Sequence, residues 1–196
     1  MSFLQEAKFE LDKFLAPSAK PEVTKMIRRS FQNKKNQMIA ELLNHPVTVE
    51  IKGGIDSQNI SGTLGGGSAN LYSFIGFESG TDPIDPIVDF LQKSIQIKFT
   101  RTGARFLMYT VEIPEPKEIF DITPMPWATG RSWAKGIESG ISGLGYYLRK
   151  ESRTSRSGIG IQSPRKVRKK GSQFKNTKYI TSLINKYKKE FKNLEI

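Results

Sequence analysis

Cysteine is absent from this chain and histidine occurs once, as His45. The first absence excludes disulfide frameworks, iron–sulfur clusters, thiol nucleophiles and cysteine-zinc sites. The second removes paired-histidine metal sites and leaves little for imidazole acid–base chemistry. His45-Pro46 reads as a helix stop, because the residue before proline is pushed out of the helical region. No stretch approaches 18 apolar residues, so no membrane span is expected. The opening Met1–Glu6 lacks the basic and apolar regions of a secretory signal, and the protein is expected to be made in a cytoplasm.

The remaining candidates for catalysis also fall short. Gly62–Ser68 approaches a phosphate-binding loop but carries Gly67 where the loop requires lysine. Ser132-Trp133-Ala134-Lys135 has Ser-x-x-Lys spacing without its companion motifs, and Ser132 reads better as a helix N-cap. Asp82, Asp85 and Asp89 cluster without cation-loop spacing, and two of them precede proline as caps. No catalytic, cofactor-binding or metal-ligating set is expected, and the chain reads as a non-enzyme.

What the chain does have is unevenly placed charge. Residues 1–148 hold 16 Lys and Arg against 16 Asp and Glu, whereas residues 149–196 hold 15 against 3. The expected division is a 1–148 α+β core domain, a 149–175 flexible basic linker and a 176–196 amphipathic basic C-terminal helix.

Hydrophobic periodicity fills in the core. Leu4, Ala7, Leu11 and Phe14 form a helical stripe within residues 3–15. A second helix is expected from Pro21 to about Asn44, its stripe interrupted by Lys34 and Lys35, which implies partial exposure to water. Val47–Ile51 alternates like a strand, and Ile60–Leu64 with Leu71–Phe77 reads as a hairpin around glycines 65–67. Asp82-Pro83 or Asp85-Pro86 starts a short helix, then strands follow at 94–100 and 105–113, turning at Gly103. The predicted class is therefore α+β: N-terminal helices packed on a mostly antiparallel sheet, with C-terminal helices and a basic arm.

Residues 114–130 combine four prolines with Ile119, Phe120, Ile122, Met125 and Trp127. This strap either lies on its own core or docks on a neighbouring subunit. A helix then places Trp133, Ile137, Ile141, Leu144 and Leu148 on one stripe, with Gly136, Gly140 and Gly143 beside it. Three interior glycines would cost roughly 3 kcal/mol against alanine, which implies close packing, internal or between subunits.

The basic segment carries Arg153, Arg156, Arg165, Lys166, Arg168, Lys169 and Lys170 among serines and glycines. It suits either the phosphates of a nucleic acid or an acidic protein surface. Aromatic residues for base stacking are not interleaved with it. The final helix repeats Ile180, Ile184, Tyr187, Phe191 and Leu194 over about five turns, another candidate partner contact together with Trp127, Trp133 and the glycine ridge.

Three segments carry a resemblance: Phe74–Gly80 with Asp82-Pro83-Ile84, Pro124–Trp133, and Ser155–Gln162 following the Gly136–Gly145 helix. Over roughly residues 74–162 the chain resembles neck or tail-completion virion proteins of tailed bacteriophages, which join head to tail. The resemblance implies a small α+β subunit repeated in a homo-oligomeric ring around the DNA channel. Its partners would be portal or connector proteins and tail proteins, with DNA nearby and no membrane. Its location would be the virion, after assembly in the host cytoplasm. The alternative is a nucleic-acid-binding protein that uses the basic C-terminal arm on the phosphate backbone.

Overall fold

In the computed structural model the described residues are 3–10, 20–64, 70–102, 106–126, 128–141, 147–149, 160–162, 174–192 and 194. They form an α+β fold, as expected. A long helix α1 (Lys20–Asn44) buries Ile27, Phe31, Lys35, Met38 and Leu42 at spacings of one helical turn. The stripe that seemed broken at Lys35 is continuous. Lys35 is only 9% exposed and donates from Nζ to the carbonyls of Gln92 (2.5 Å) and Ile95 (2.9 Å). Those carbonyls belong to the C-terminal end of α4 (Asp85–Ser94), where a cation satisfies orphan acceptors and complements the helix dipole. Burial lowers the Lys35 pKa.

His45 does end α1, and it also starts the next element. Its Nδ1 accepts from the Val47 N–H at 3.3 Å and Pro46 occupies the first turn of α2 (Pro46–Lys52). The strand expected at Val47–Ile51 is thus a helix. Its alternation misleads because the polar positions Thr48 and Glu50 are themselves fully buried and hydrogen-bonded. The expected hairpin is corrected too. Residues 60–64 are loop, closed by a single bridge between Leu64 and Phe174, and Leu71–Ile75 forms a one-turn helix α3 capped by Asn70. The glycine tip expected between them lies outside the described residues.

The main sheet has the order β1-β3-β2, antiparallel throughout. Strands β2 (Gln96–Thr102) and β3 (Phe106–Ile113) fall close to their expected positions, and the Gly103 turn lies outside the described residues. Strand β1 (Phe3–Glu10) replaces the expected N-terminal helix. Its odd positions Phe3, Gln5 and Ala7 stand opposite Ile113, Val111 and Tyr109, so a period of two competes with the helical stripe and sheet pairing decides. One face of β3 buries Tyr109, Val111 and Ile113 toward the helices.

The described residues of the 114–130 strap lie on the chain's own core. Pro116 opens α5 (Pro116–Asp121), a position where proline costs no hydrogen bond, and Glu115 with Glu118 forms a capping box. Ile119 and Met125 are buried, and β4 (Pro124–Met125) pairs with β5 (Ala128–Ser132). Ser132 then caps α6 (Trp133–Ser139), accepting from Lys135 N at 3.1 Å. α6 is half the expected length because Gly140 leaves the helix at φ +97°. Strand β6 (Tyr147–Arg149) replaces the end of the helix expected to reach Leu148, and it pairs with β7 (Gly160–Gln162), which lies in the region expected to be an aperiodic linker. The last element, α7 (Ile180–Lys192), is under four turns long.

Candidate functional site

Helix α7 was expected to be a tethered basic unit that meets a partner; instead it completes the core. Ile180, Leu183, Ile184, Tyr187 and Phe191 are all buried. The helix lies antiparallel on α1, as the contacts show in order: Phe31 with Phe191 (ring centroids 5.5 Å), Lys34 with Glu190 (3.0 Å), Glu41 with Lys186 (2.6 Å) and His45 with Tyr179 (4.9 Å). Its apolar stripe is an internal face, covered by α1 together with α5 and the β1–β3 part of the sheet. The Tyr187 hydroxyl adds a 2.9 Å bond to Glu41. The Lys186 hydrogen bond holds the Glu41 carboxyl below its usual pKa, and the Lys186 pKa rises in turn.

The chain reaches α7 by a route that matters for the charge. It leaves the core at Ile141, which is buried, and is again in the described fold at Phe174. The two ends adjoin. Thr177 N donates to Ile137 O at 3.0 Å, and a Cβ placed on Gly140 would lie 3.6 Å from Asn176 Oδ1. Phe174 stacks on Phe74 at 6.0 Å and Lys175 N bonds Thr63 O at 2.8 Å. The basic excursion of residues 142–173 therefore starts and ends at adjoining points of the described fold.

Beneath this return lies a polar and aromatic knot. Tyr179 is buried, its hydroxyl 2.8 Å from Thr48 Oγ1, its ring 6.4 Å from Trp133 and 4.9 Å from His45. Burial raises the Tyr179 pKa, so the phenol stays protonated. Glu138 caps the start of α7, accepting from Thr181 N at 2.7 Å and Thr181 Oγ1 at 2.5 Å, where the helix dipole favours a carboxylate. Burial lowers the His45 pKa, against a Lys178 backbone hydrogen bond and the Glu41 charge. With the folded pKa depressed below 6.5, the unfolded chain protonates first. Stability should fall as pH drops through about 6.5. Denaturant melts across pH 5.5–7.5 should show this slope, and His45→Gln should flatten it.

The expected partner contacts are mostly internal. Trp133 is buried edge-on against Phe77 at 5.6 Å. At Gly136 a Cβ would meet Ile141 Cγ1 at 2.7 Å and Met125 Cε at 3.3 Å, so the close packing implied by the glycine is made within the chain. Gly140 is a terminator and no part of a helical ridge. Trp127 and Gly143 lie outside the described residues, as do Arg153, Arg156, Arg165, Lys166, Arg168, Lys169 and Lys170. The caps expected at Asp82 and Asp85 are not made: α4 starts from Ile84 without a side-chain cap and Asp85 is its first residue, while Asp82 Oδ1 accepts from Ile84 N at 2.8 Å and Lys52 pairs with both carboxylates. Among the described residues no His, Asp and Glu grouping could hold a metal ion, and no helix is long and apolar enough to cross a membrane.

Charge, once mapped on this fold, separates into three parts. Residues 142–173 carry nine Lys and Arg against Glu151, net +8. Helices α1 and α7 together carry ten against three, net +7. The rest of the chain is net −3. Sequence order hides the second part, because α1 sits in an N-terminal region whose acidic residues cancel it.

No protein family matches this chain, and no curated protein or solved structure is significantly similar to it.

Proposed function

We propose that the protein is a non-catalytic structural subunit that assembles head to tail into a ring, of the kind found in the neck of tailed bacteriophages. The observation that carries this reading is the β1-β3-β2 sheet, whose outer edges have no strand partner among the described residues. Unpaired edges are templates for pairing with another chain. Both edge strands run antiparallel to β3, hence parallel to one another, so β1 of one copy can extend the sheet beside β2 of the next. By sequence the two edge strands differ in sign, β1 holding two acidic residues and one basic, and β2 two basic residues and no acidic one. A contact between two different surfaces, repeated with a rotation that closes, makes a ring. Portal, connector and tail proteins would be its neighbours in a virion, and no cofactor is invoked.

Reversing the β2 charges tests the edge contact. Lys98→Glu with Arg101→Glu should shift sedimentation from oligomer toward monomer at about 0.1 M salt, with unchanged thermal stability. The exposed Lys98–Glu112 pair (2.5 Å) that is lost contributes little by itself. Unchanged sedimentation would remove the edge contact from the reading.

The second reading, nucleic-acid binding, is favoured by the +8 carried between Ile141 and Phe174 on a segment whose two ends are anchored side by side. It shares the fold with the first and differs in the partner.

A further inference from the structure

We infer that the outer face of the α1–α7 pair is a second polyanion-binding surface, built for the phosphate backbone of duplex nucleic acid. The inference takes its ligand class from the second reading above and places the contact on a different, folded part of the molecule. Lys25 and Arg29 are exposed one turn apart on α1, and Lys189 and Lys192 are exposed one turn apart on α7. Because the helices run antiparallel and Phe31 meets Phe191, these four cations gather at one end of the pair.

The acids that could neutralise them are engaged elsewhere. Glu41 is held by Lys186 and Tyr187, and Glu190 by Lys34. Glu22, in the first turn of α1, is the remaining acidic residue of the two helices. No carboxylate among the described residues forms an ion pair with Lys25, Arg29, Lys189 or Lys192. Arg28, their neighbour, is laid over the Phe99 ring at 5.1 Å and extends the positive surface toward β2.

The type of anion follows from what else this face offers. Phe31, Tyr187 and Phe191 are buried in the seam, so the two helices present no exposed aromatic ring for stacking on bases. That leaves charge alone. Duplex DNA, with one phosphate charge per about 1.7 Å of axis, is a dense and regular array of the kind such a face can meet. Helix residues one turn apart are separated by roughly 5 Å along the axis, so each helix can place two cations on successive phosphates. The contact would be independent of base sequence.

The test is fluorescence anisotropy of a mixed-sequence 24-bp DNA duplex with the full chain across a salt series. Two variants are compared: Lys25→Gln, Arg29→Gln, Lys189→Gln, Lys192→Gln on the helices, and Arg165→Gln, Lys166→Gln, Arg168→Gln, Lys169→Gln, Lys170→Gln on the excursion. All substituted helix positions are exposed, and a matching thermal melt confirms the fold. The helix variant should bind tenfold or more weakly at 0.1 M salt, with the log–log salt slope reduced by about 3 to 4. An unchanged slope in the helix variant, with binding lost only in the excursion variant, overturns this surface and leaves the second reading standing. No binding by the unmodified chain overturns both. Capture by polyglutamate in preference to the duplex overturns the nucleic-acid ligand and assigns the face to an acidic protein.

Discussion

A chain ending at residue 173 should not fold. The deletion removes Tyr179, Ile180, Leu183, Ile184, Tyr187, Phe191 and Leu194, all buried, and uncovers Phe31 and Trp133, which pack on Phe191 and Tyr179. At roughly 1.5–3 kcal/mol for each large side chain taken out of water, the loss is about 10–20 kcal/mol. That equals or exceeds the typical total stability of a domain, about 5–15 kcal/mol. Circular dichroism of residues 1–173 should show no cooperative thermal transition. Phe191→Ala in the full chain should cost about 3–5 kcal/mol and still fold. A 1–173 fragment melting cooperatively near the full-length temperature would contradict the role assigned to α7, restoring it as a detachable arm.

The second large effect is expected at Glu50. Its side chain is fully buried on α2, with Oε1 accepting from Leu71 N at 2.7 Å and Oε2 from Ser61 N at 2.8 Å. One carboxylate thereby holds both ends of the loop between residues 61 and 71 against α2. Asn70 reinforces the junction, donating to the carbonyls of Ile55 (2.9 Å) and Ser57 (2.7 Å). Glu50→Ala strands two backbone donors, each costing about 1–3 kcal/mol, and should destabilise the protein by about 3–5 kcal/mol. Glu50→Gln keeps one acceptor but turns an amide donor toward the other N–H, so about half that loss is expected. Urea melts of both variants measure the ordering. A Glu50→Ala protein within 1 kcal/mol of the parent would show that the carboxylate does not brace the loop.

Much of the fold was legible where local signals and burial agree. In α1, α4, β2, β3 and α7 the apolar period is unbroken once Lys35 is counted as a buried cap, and Ser132 stands where an N-cap should. The failures share a physical cause: groups far apart in sequence decide them. Val47–Ile51 alternates like a strand, but Thr48 is claimed by Tyr179, and Glu50 by Ser61 and Leu71. Residues 3–10 carry a helical stripe and a weaker period of two, and pairing with β3 selects the second. Gly136 signalled a close approach without naming its partner, which is Ile141, and Gly140 signalled a ridge where it ends a helix.

The candidate surface was the least legible feature. Net charge summed along the chain assigned all of the excess to residues 149–196. The fold divides it between an anchored excursion and a helix pair whose members are more than a hundred residues apart. The C-terminal stripe looked like a partner contact because its partner, α1, comes so much earlier in the sequence. A stripe of this kind signals that a helix packs, without saying on which chain.

Assembly is tested most directly by the native mass of the full chain, measured at micromolar concentration and about 0.15 M salt without nucleic acid. A ring-forming subunit predicts one discrete multiple of 22.1 kDa, unchanged over a tenfold dilution. A 22.1 kDa monomer at every concentration would contradict it.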